Sequence, residues 1–227
     1  MRRLVTAFAM LGAAAPLGAQ AAGQGAQAQV ANTQVQVHAD TKLPAGWRMR
    51  IDPGRRVAPV TMAEMGSGFH ITTGPGSGIF WHPRFAGTGN YEVRATLTQR
   101  NAQEGHAEAY GIVFAGTDLA AENQAYLYFV IRGTGEYMVR HRAGSDVHTI
   151  TDWSAHPAIR KVDASGGSTN ELAVRVAADS IRLLVNGTQV QAFGRQQMGD
   201  AQGQAGLRAN HRTELHVVRF DVVPLRP

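Results

Sequence analysis

Between Ala125 and Arg132 the chain reads AYLYFVIR, and its chemically capable residues fall on one side of an alternation. Successive side chains of an extended strand point to opposite faces. Leu127, Phe129 and Ile131 therefore make an apolar face, while Tyr126, Tyr128, Val130 and Arg132 make the other. Tyrosine joins an apolar ring to a hydroxyl, which suits stacking on, and hydrogen bonding to, a polyhydroxylated molecule. The next run, Glu136 to Arg142, can add Met138, Arg140 and Arg142 to that face, and the preceding one brings Glu108 and Tyr110. Glu108, Tyr110, Tyr126, Tyr128, Arg132 and Arg140 together form a candidate ligand surface. The competing reading is an amphipathic sheet whose tyrosines and arginines cover its solvent side. Trp153 and His156 lie in TDWSAHP, read as a loop because Pro157 follows. There Trp153 can stack on a ligand ring at the sheet rim or plug the end of the core, and His156 can exchange a proton near neutral pH.

Other chemistry is weakly marked. Glu104 and Glu108 flank Gly105-His106, and Asp118 shares the following loop with Glu122. Solvated loop charge accounts for both pairs. His106-x-Glu108 places two ligand types on one strand face, yet none of the nine histidines falls in H-E-x-x-H or a comparable spacing. The cluster Gly74 to Gly78 lacks the following Lys-Ser/Thr of a phosphate loop. No cofactor is expected.

These residues must be positioned by strands. The run ELAVRVAADSIRLLVNGTQVQAF, Glu171 to Phe193, reads as strand, turn, strand, Asn-Gly hairpin and strand. Leu172, Val174 and Val176 alternate with Ala173, Arg175 and Ala177, and Asn186-Gly187 supplies the two positive-φ residues of a type I′ turn. Further strands are predicted at Trp47 to Ile51, Gly68 to Thr72, Ile79 to Trp81 (stopped by Pro83), Tyr91 to Gln99 and Tyr110 to Ala115. Others fall at Ala125 to Arg132, Glu136 to Arg142, Val147 to Thr151, Gly206 to Ala209 and Leu215 to Val223. About a dozen short strands joined by Gly-rich turns, with no helical period, predict an all-β sandwich or barrel.

The ends and the composition bound the rest. Residues 1–21 read as a secretory signal peptide: Arg2 and Arg3, an apolar run from Leu4 to Ala15, and Ala19-Gln20-Ala21 as a cleavage site. That run is shorter than the ~20 residues of a membrane span, so export to periplasm or exterior is expected, without stable membrane insertion. Residues 22–40, rich in Ala, Gln and Gly, read as a flexible linker. Residues 41–227 form one β-sandwich domain. With no cysteine there is no disulfide framework or thiolate metal site. The formal charge of +5 falls to +3 without Arg2 and Arg3, 20 basic residues against 17 acidic. Arginines are spread along the strands and balanced locally by Asp and Glu, unlike the clustered stripe of a nucleic-acid binder. A basic face for anionic sugars or polymers is the lesser alternative to a solvated surface.

The ordered series Tyr110-Gly-Ile-Val-Phe, Tyr126-Leu-Tyr-Phe, Gly135-Glu-Tyr-Met-Val-Arg, Asn170-Glu-Leu-Ala-Val, Val185-Asn-Gly and Gly206-Leu-Arg resembles the concanavalin A-like lectin/glucanase sandwiches of laminin-G type. Within them it looks most like secreted bacterial domains grouped with 3-keto-disaccharide hydrolases, over residues 43–224. The resemblance implies a two-sheet antiparallel jelly roll with a concave outer face that often holds glycan. It also implies loop calcium in some relatives, for which Asp118, Glu122 and Asn123 are the residues to inspect. The Glu-x-Asp-x-x-Glu pattern of glucanases of this fold is missing. Two functions follow. One is an exported carbohydrate-binding domain whose partner is a glycan or small saccharide. The other is a 3-keto-glycoside-cleaving enzyme with Glu108 as base beside His106 or Arg132. A scaffold domain without a small ligand is a third class.

Overall fold

The computed structural model describes residues 43–52, 60–102 and 108–226. The signal peptide, the linker and His106 lie outside these residues. Among them the chain forms β1 (Arg48–Ile51), β2 (Thr61–Met65), β3 (Gly68–Thr72), β4 (Gly78–Gly87), β5 (Tyr91–Arg100), β6 (Ala109–Thr117) and β7 (Ala125–Arg132). There follow β8 (Glu136–Ala143), β9 (Asp146–Ala155), β10 (Ser168–Val176), β11 (Ser180–Val185), β12 (Thr188–Gly194), β13 (Gly203–Ala209) and β14 (Glu214–Pro224), with one 3₁₀ turn at Arg195–Gln197. Strand β2 escaped the sequence reading.

The strands make two antiparallel seven-stranded sheets. Sheet A runs β1-β4-β13-β6-β7-β8-β9, and sheet B runs β12-β11-β10-β5-β14-β3-β2. One core lies between them. Sheet A contributes Phe80, Ile112, Phe114, Leu127, Phe129, Ile131 and Leu207, and sheet B contributes Val93, Leu97, Leu172, Val174, Ile181, Leu183 and Leu215, all buried. Each such side chain contributes roughly 1.5–3 kcal/mol by leaving water. The period-two alternation of β5, β7, β10 and β11 is thus the pattern of two sheets stacked on one shared face.

Two local features depart from the sequence expectation. Pro83 does not end its strand; it sits inside β4. The β4–β13 ladder slips between Gln204 and Gly206, leaving residues 82–85 of β4 without a β13 partner. A proline, lacking an N–H, is tolerated where no ladder bond is required. Trp153 belongs to β9 rather than to a loop. Strand β9 is the edge of sheet A and pairs with β8 through two register shifts, Tyr137/Val139 and Val139/Arg140. It stops at Ala155, two residues before Pro157.

The Asn186-Gly187 hairpin has φ of 50° and 81°, as its turn type requires. Asn186 also ties the turn to the body. Its Nδ2 donates to Ala158 O and Asn170 Oδ1, both at 2.8 Å, and its Oδ1 accepts from Glu171 N at 2.9 Å. Asn186→Ala removes these bonds and leaves a β-carbon residue at positive φ. A loss of about 2 kcal/mol in unfolding free energy, read by urea titration, is expected.

Candidate functional site

The face of sheet A turned away from the core is also apolar at its centre. Ile79, Trp81, Ala109, Val113, Tyr126, Tyr128, Val130 and Met138 form a second buried cluster, with Trp153 packed against it. Register explains the membership. Arg50, Ile79, Arg208, Gly111, Val130 and Met138 lie side by side across six strands, and Arg48, Trp81, Gly206, Val113, Tyr128 and Arg140 form the next row. Glycine at 111 and 206 is set by close backbone approach. A β-carbon there would meet Phe129 O at 2.1 Å or Phe80 O at 2.3 Å.

Onto this apolar floor are laid four guanidinium groups. Arg50, Arg142 and Arg208 are 4%, 8% and 6% exposed, and Arg140 is half-buried. The carboxylate common to Arg208, Arg142 and, at longer range, Arg50 is Asp52, which follows β1. It accepts from Arg208 Nη2 and lies 3.6 Å from Arg142 Nη2. Arg208 also donates from Nε to Asn210 Oδ1 at 3.2 Å, contacts the Tyr126 hydroxyl at 3.5 Å and stands 5.4 Å from the Tyr128 ring centroid. Arg142 donates to Gly144 O, and Arg50 donates to Ala121 O, fastening the loop between β6 and β7.

This arrangement requires curvature. Strands β1 and β8 are separated by four others. In a flat sheet at about 4.8 Å per strand they would stand roughly 24 Å apart, too far for Asp52 and Arg142 to meet. The outer face of sheet A is therefore concave. Burial works to raise the Asp52 carboxyl, but Arg208, then Arg142 and Arg50, outweigh it and hold it below its ordinary range. Burial, and repulsion from Arg142, lower Arg50, while Asp52 and Tyr126 hold Arg208 above its usual value against its own burial. Burial raises the Tyr126 hydroxyl, whose oxygen accepts from Arg208 Nη1.

Beside this cluster, on the same face, is a cleft of about 360 Å³ lined by Arg48, Trp81, Gly116, Asp118, Leu119, Ala120, Ala121 and Gln204. Ala121 is common to both, since its carbonyl accepts from Arg50. Trp81 reaches the lining although only 2% exposed, and Arg48, Asp118 and Gln204 supply donors and acceptors.

The residues expected from sequence fall into distinct places. Tyr126, Tyr128, Arg132 and Arg140 do share the outer face, but the two tyrosines are buried, at 1% and 5% exposure, rather than solvent-facing. Tyr110 is not on that face. It pairs with Ile131, in step with Ile112 and Phe114, and lies in the core with its hydroxyl 3.5 Å from Ser168 Oγ. Glu108 precedes β6, and its Oε1 lies 3.0 Å from His211 Nε2. Arg132 is engaged by Glu136, with Nε at 2.8 Å, and its guanidinium lies 4.1 Å from the Trp153 ring centroid. Trp153 thus lines the outer face instead of plugging the core. His156 is used locally: its Nδ1 accepts from Ala158 N at 3.2 Å. Asp118 accepts from Asn123 Nδ2 at 2.9 Å, and among the described residues no three His, Asp or Glu side chains gather as metal ligands.

Asp52, Arg48, Arg50, Trp81, Gln204 and Arg208 were missed. Alternation within Trp47 to Ile51 and Gly206 to Ala209 already separates Arg48, Arg50 and Arg208 from their apolar neighbours. What sequence withheld was the strand order that sets β1, β4 and β13 beside β6–β8.

Two seven-stranded antiparallel sheets with one concave outer face define a concanavalin A-like jelly-roll sandwich. The chain is similar in structure to the carbohydrate-binding module CBM66 from Bacillus subtilis, with TM-score 0.57 and 11% identity over 78% of this chain and 94% of that one. It is also similar to the exoplasmic/lumenal domain of VIP36 in its Ca2+/Man-bound form, at TM-score 0.58 and 8% identity over 80% and 84%. A third is a Bacillus subtilis protein of unknown function with a galectin-like fold, at 0.55 and 13% over 78% and 88%. No protein-family model and no curated protein sequence matches the chain, so the likeness to 3-keto-disaccharide hydrolases has no family match behind it.

Asp52→Asn leaves its arginines without a counter-charge, and a loss of about 3 kcal/mol in unfolding free energy is expected. Because the folded-state carboxyl titrates below its unfolded value, its stabilising effect is complete above the ordinary carboxylate range, starts to fall within that range and is lost as pH drops through the lowered folded value. Denaturant midpoints should therefore fall more steeply between pH 5 and 3 for the native chain than for Asp52→Asn.

Proposed function

We propose that this domain binds carbohydrate on the concave outer face of sheet A, in an exported protein carrying residues 1–21 as its secretion signal. The observation that carries this reading is the cleft beside Trp81, where Arg48, Asp118 and Gln204 gather on a concave sheet face around the small exposed part of a largely buried indole. A sugar ring has apolar C–H faces and a rim of hydroxyls, so it needs both a π surface and convergent donors and acceptors. Its size sits at the small end of ligand sites, about 300–1,000 Å³. The similar modules and lumenal domains support the reading by fold. No helix among the described residues is long and apolar enough to cross a membrane.

An oligosaccharide panel read by thermal shift tests it. A ligand at a hundredfold excess over Kd stabilises the native state by about 2.7 kcal/mol. Arg48→Ala and Gln204→Ala should each weaken the binding that is found about tenfold without lowering the unliganded melting temperature. A panel that shifts nothing, or variants that bind as tightly as the native chain, would count against this surface.

A second reading, cleavage of 3-keto-glycosides, rests on the 3.0 Å pairing of Glu108 with His211, a carboxylate and an imidazole placed to exchange a proton. Arg132 would not be its polarising cation while held by Glu136. Release of free sugar from a 3-keto-disaccharide, abolished in Glu108→Gln, is the expected outcome on this reading.

A further inference from the structure

The concave face carries more positive charge than its own acids neutralise. The outer face of sheet B is an internal control. There Glu92 takes both Arg94 and Arg175, Arg94 also approaches Glu171 at 4.0 Å, and Arg219 pairs with Asp221. Each arginine in this set has a carboxylate within ion-pair reach, and Arg182 of the same face, which enters no ion pair among the described residues, is exposed to solvent. On sheet A the guanidinium groups of Arg50, Arg140, Arg142 and Arg208 have near them the one carboxylate of Asp52, which comes within ion-pair distance of Arg208 and Arg142 alone. Among the described residues Arg50 and Arg140 enter no ion pair, although Asp52 and, more weakly, Glu122 act on Arg50 from further off. The Nε atoms of Arg50, Arg140 and Arg142 are buried without a hydrogen-bond partner. Two of these side chains are more than nine-tenths buried.

Such an arrangement is costly unless something answers it. An unpaired buried ion costs several kcal/mol, and a buried donor without an acceptor adds to that. One nitrogen each of Arg50 and Arg142 is spent on a backbone oxygen, Ala121 O and Gly144 O, but their Nε donors and that of Arg140 are left over. A planar fork of N–H donors in a covered, low-dielectric site is suited to receive an anionic oxygen pair. Arg50 links the two halves of the face. Its Nη1 holds Ala121 of the cleft loop while its Nε points to no acceptor, so a sugar seated at Trp81 lies next to the unneutralised cations.

We infer that the saccharide bound by this domain is acidic, carrying a carboxylate or sulfate group that Arg50 and Arg142 receive, with Arg140 beside them. This rests on the carbohydrate reading above and narrows it to uronic-acid or sulfated glycans. Asp52 then has a positioning role: it holds Arg208 and Arg142 in place and leaves Arg50 for the ligand.

Calorimetric titration of the native chain separates the possibilities. The probes are tetragalacturonate, tetramannuronate, a sulfated galactan tetrasaccharide, and neutral galactotetraose and cellotetraose. At least one acidic probe should bind at least tenfold more tightly than either neutral one. Methyl esterification or desulfation of that probe should cost tenfold or more in affinity. Its affinity should also fall as salt rises from 50 to 300 mM, as screening of charge demands. Arg50→Gln should weaken the acidic probe at least tenfold, with circular dichroism and the melting curve reporting that the variant is folded. The esterification comparison uses the native chain and stands even if that variant is not. Neutral tetrasaccharides bound as tightly as acidic ones would overturn the acidic assignment and leave the carbohydrate reading intact. No binding of any probe would overturn both.

Discussion

A single carboxylate organises the functional half of this molecule. Asp52 draws guanidinium groups from β13 and β8 to one point, although four strands lie between β1, which it follows, and β8. Ion pairs of this kind are weak contributors to net stability but strict about geometry. The bend of sheet A and the Asp52 contacts are therefore one constraint: the carboxylate can serve both arginines only while the sheet is curved. The cleft beside Trp81 inherits its shape from that bend.

Sheet A is unusual in being apolar on both faces at its centre. One face closes the core, and the other forms a floor of Ile79, Val113, Tyr126, Tyr128 and Val130. Charge placed on such a floor is poorly solvated and acts at longer reach than charge on an open surface. On sheet B, Glu92 and Asp221 pair arginines along the strands and Arg182 stands exposed in water. The asymmetry between the two outer faces lies in burial: the arginines of sheet A are covered on an apolar floor, where a leftover donor is costly.

Most of the architecture was legible in the sequence, and for a definite reason. Alternation in β5, β7, β10 and β11 reflects burial on one face, and Asn186-Gly187 reflects a backbone conformation that few residues tolerate. Both signals are local. The placement of Leu127, Phe129 and Ile131 inside and of Tyr126 and Tyr128 outside followed directly. Tyr110 was assigned to the wrong face although its step with Ile112 and Phe114 contradicted that choice. The Asp52 cluster was not legible, because β1, β4 and β13 join β6–β8 only through long-range pairing, and nothing local marks the residue after β1 as the counter-ion of β8. Pro83 and Trp153 misled for the same reason: a proline ends a strand only where its missing N–H matters, and the irregular ladders of β4 and β9 are properties of partners distant in sequence.

Strand β9 closes sheet A with an open row of peptide groups and two exposed apolar side chains, Val147 and Ile150. A long regular border of that kind invites a second polypeptide to add itself in register, the first step toward fibrous association. Both slips in the β8–β9 ladder break that regularity, and Asp146 and Asp152 set negative charge along the same border. The irregularity that hid this strand's full extent from a reader of the sequence also leaves the outermost ribbon a poor template for another chain.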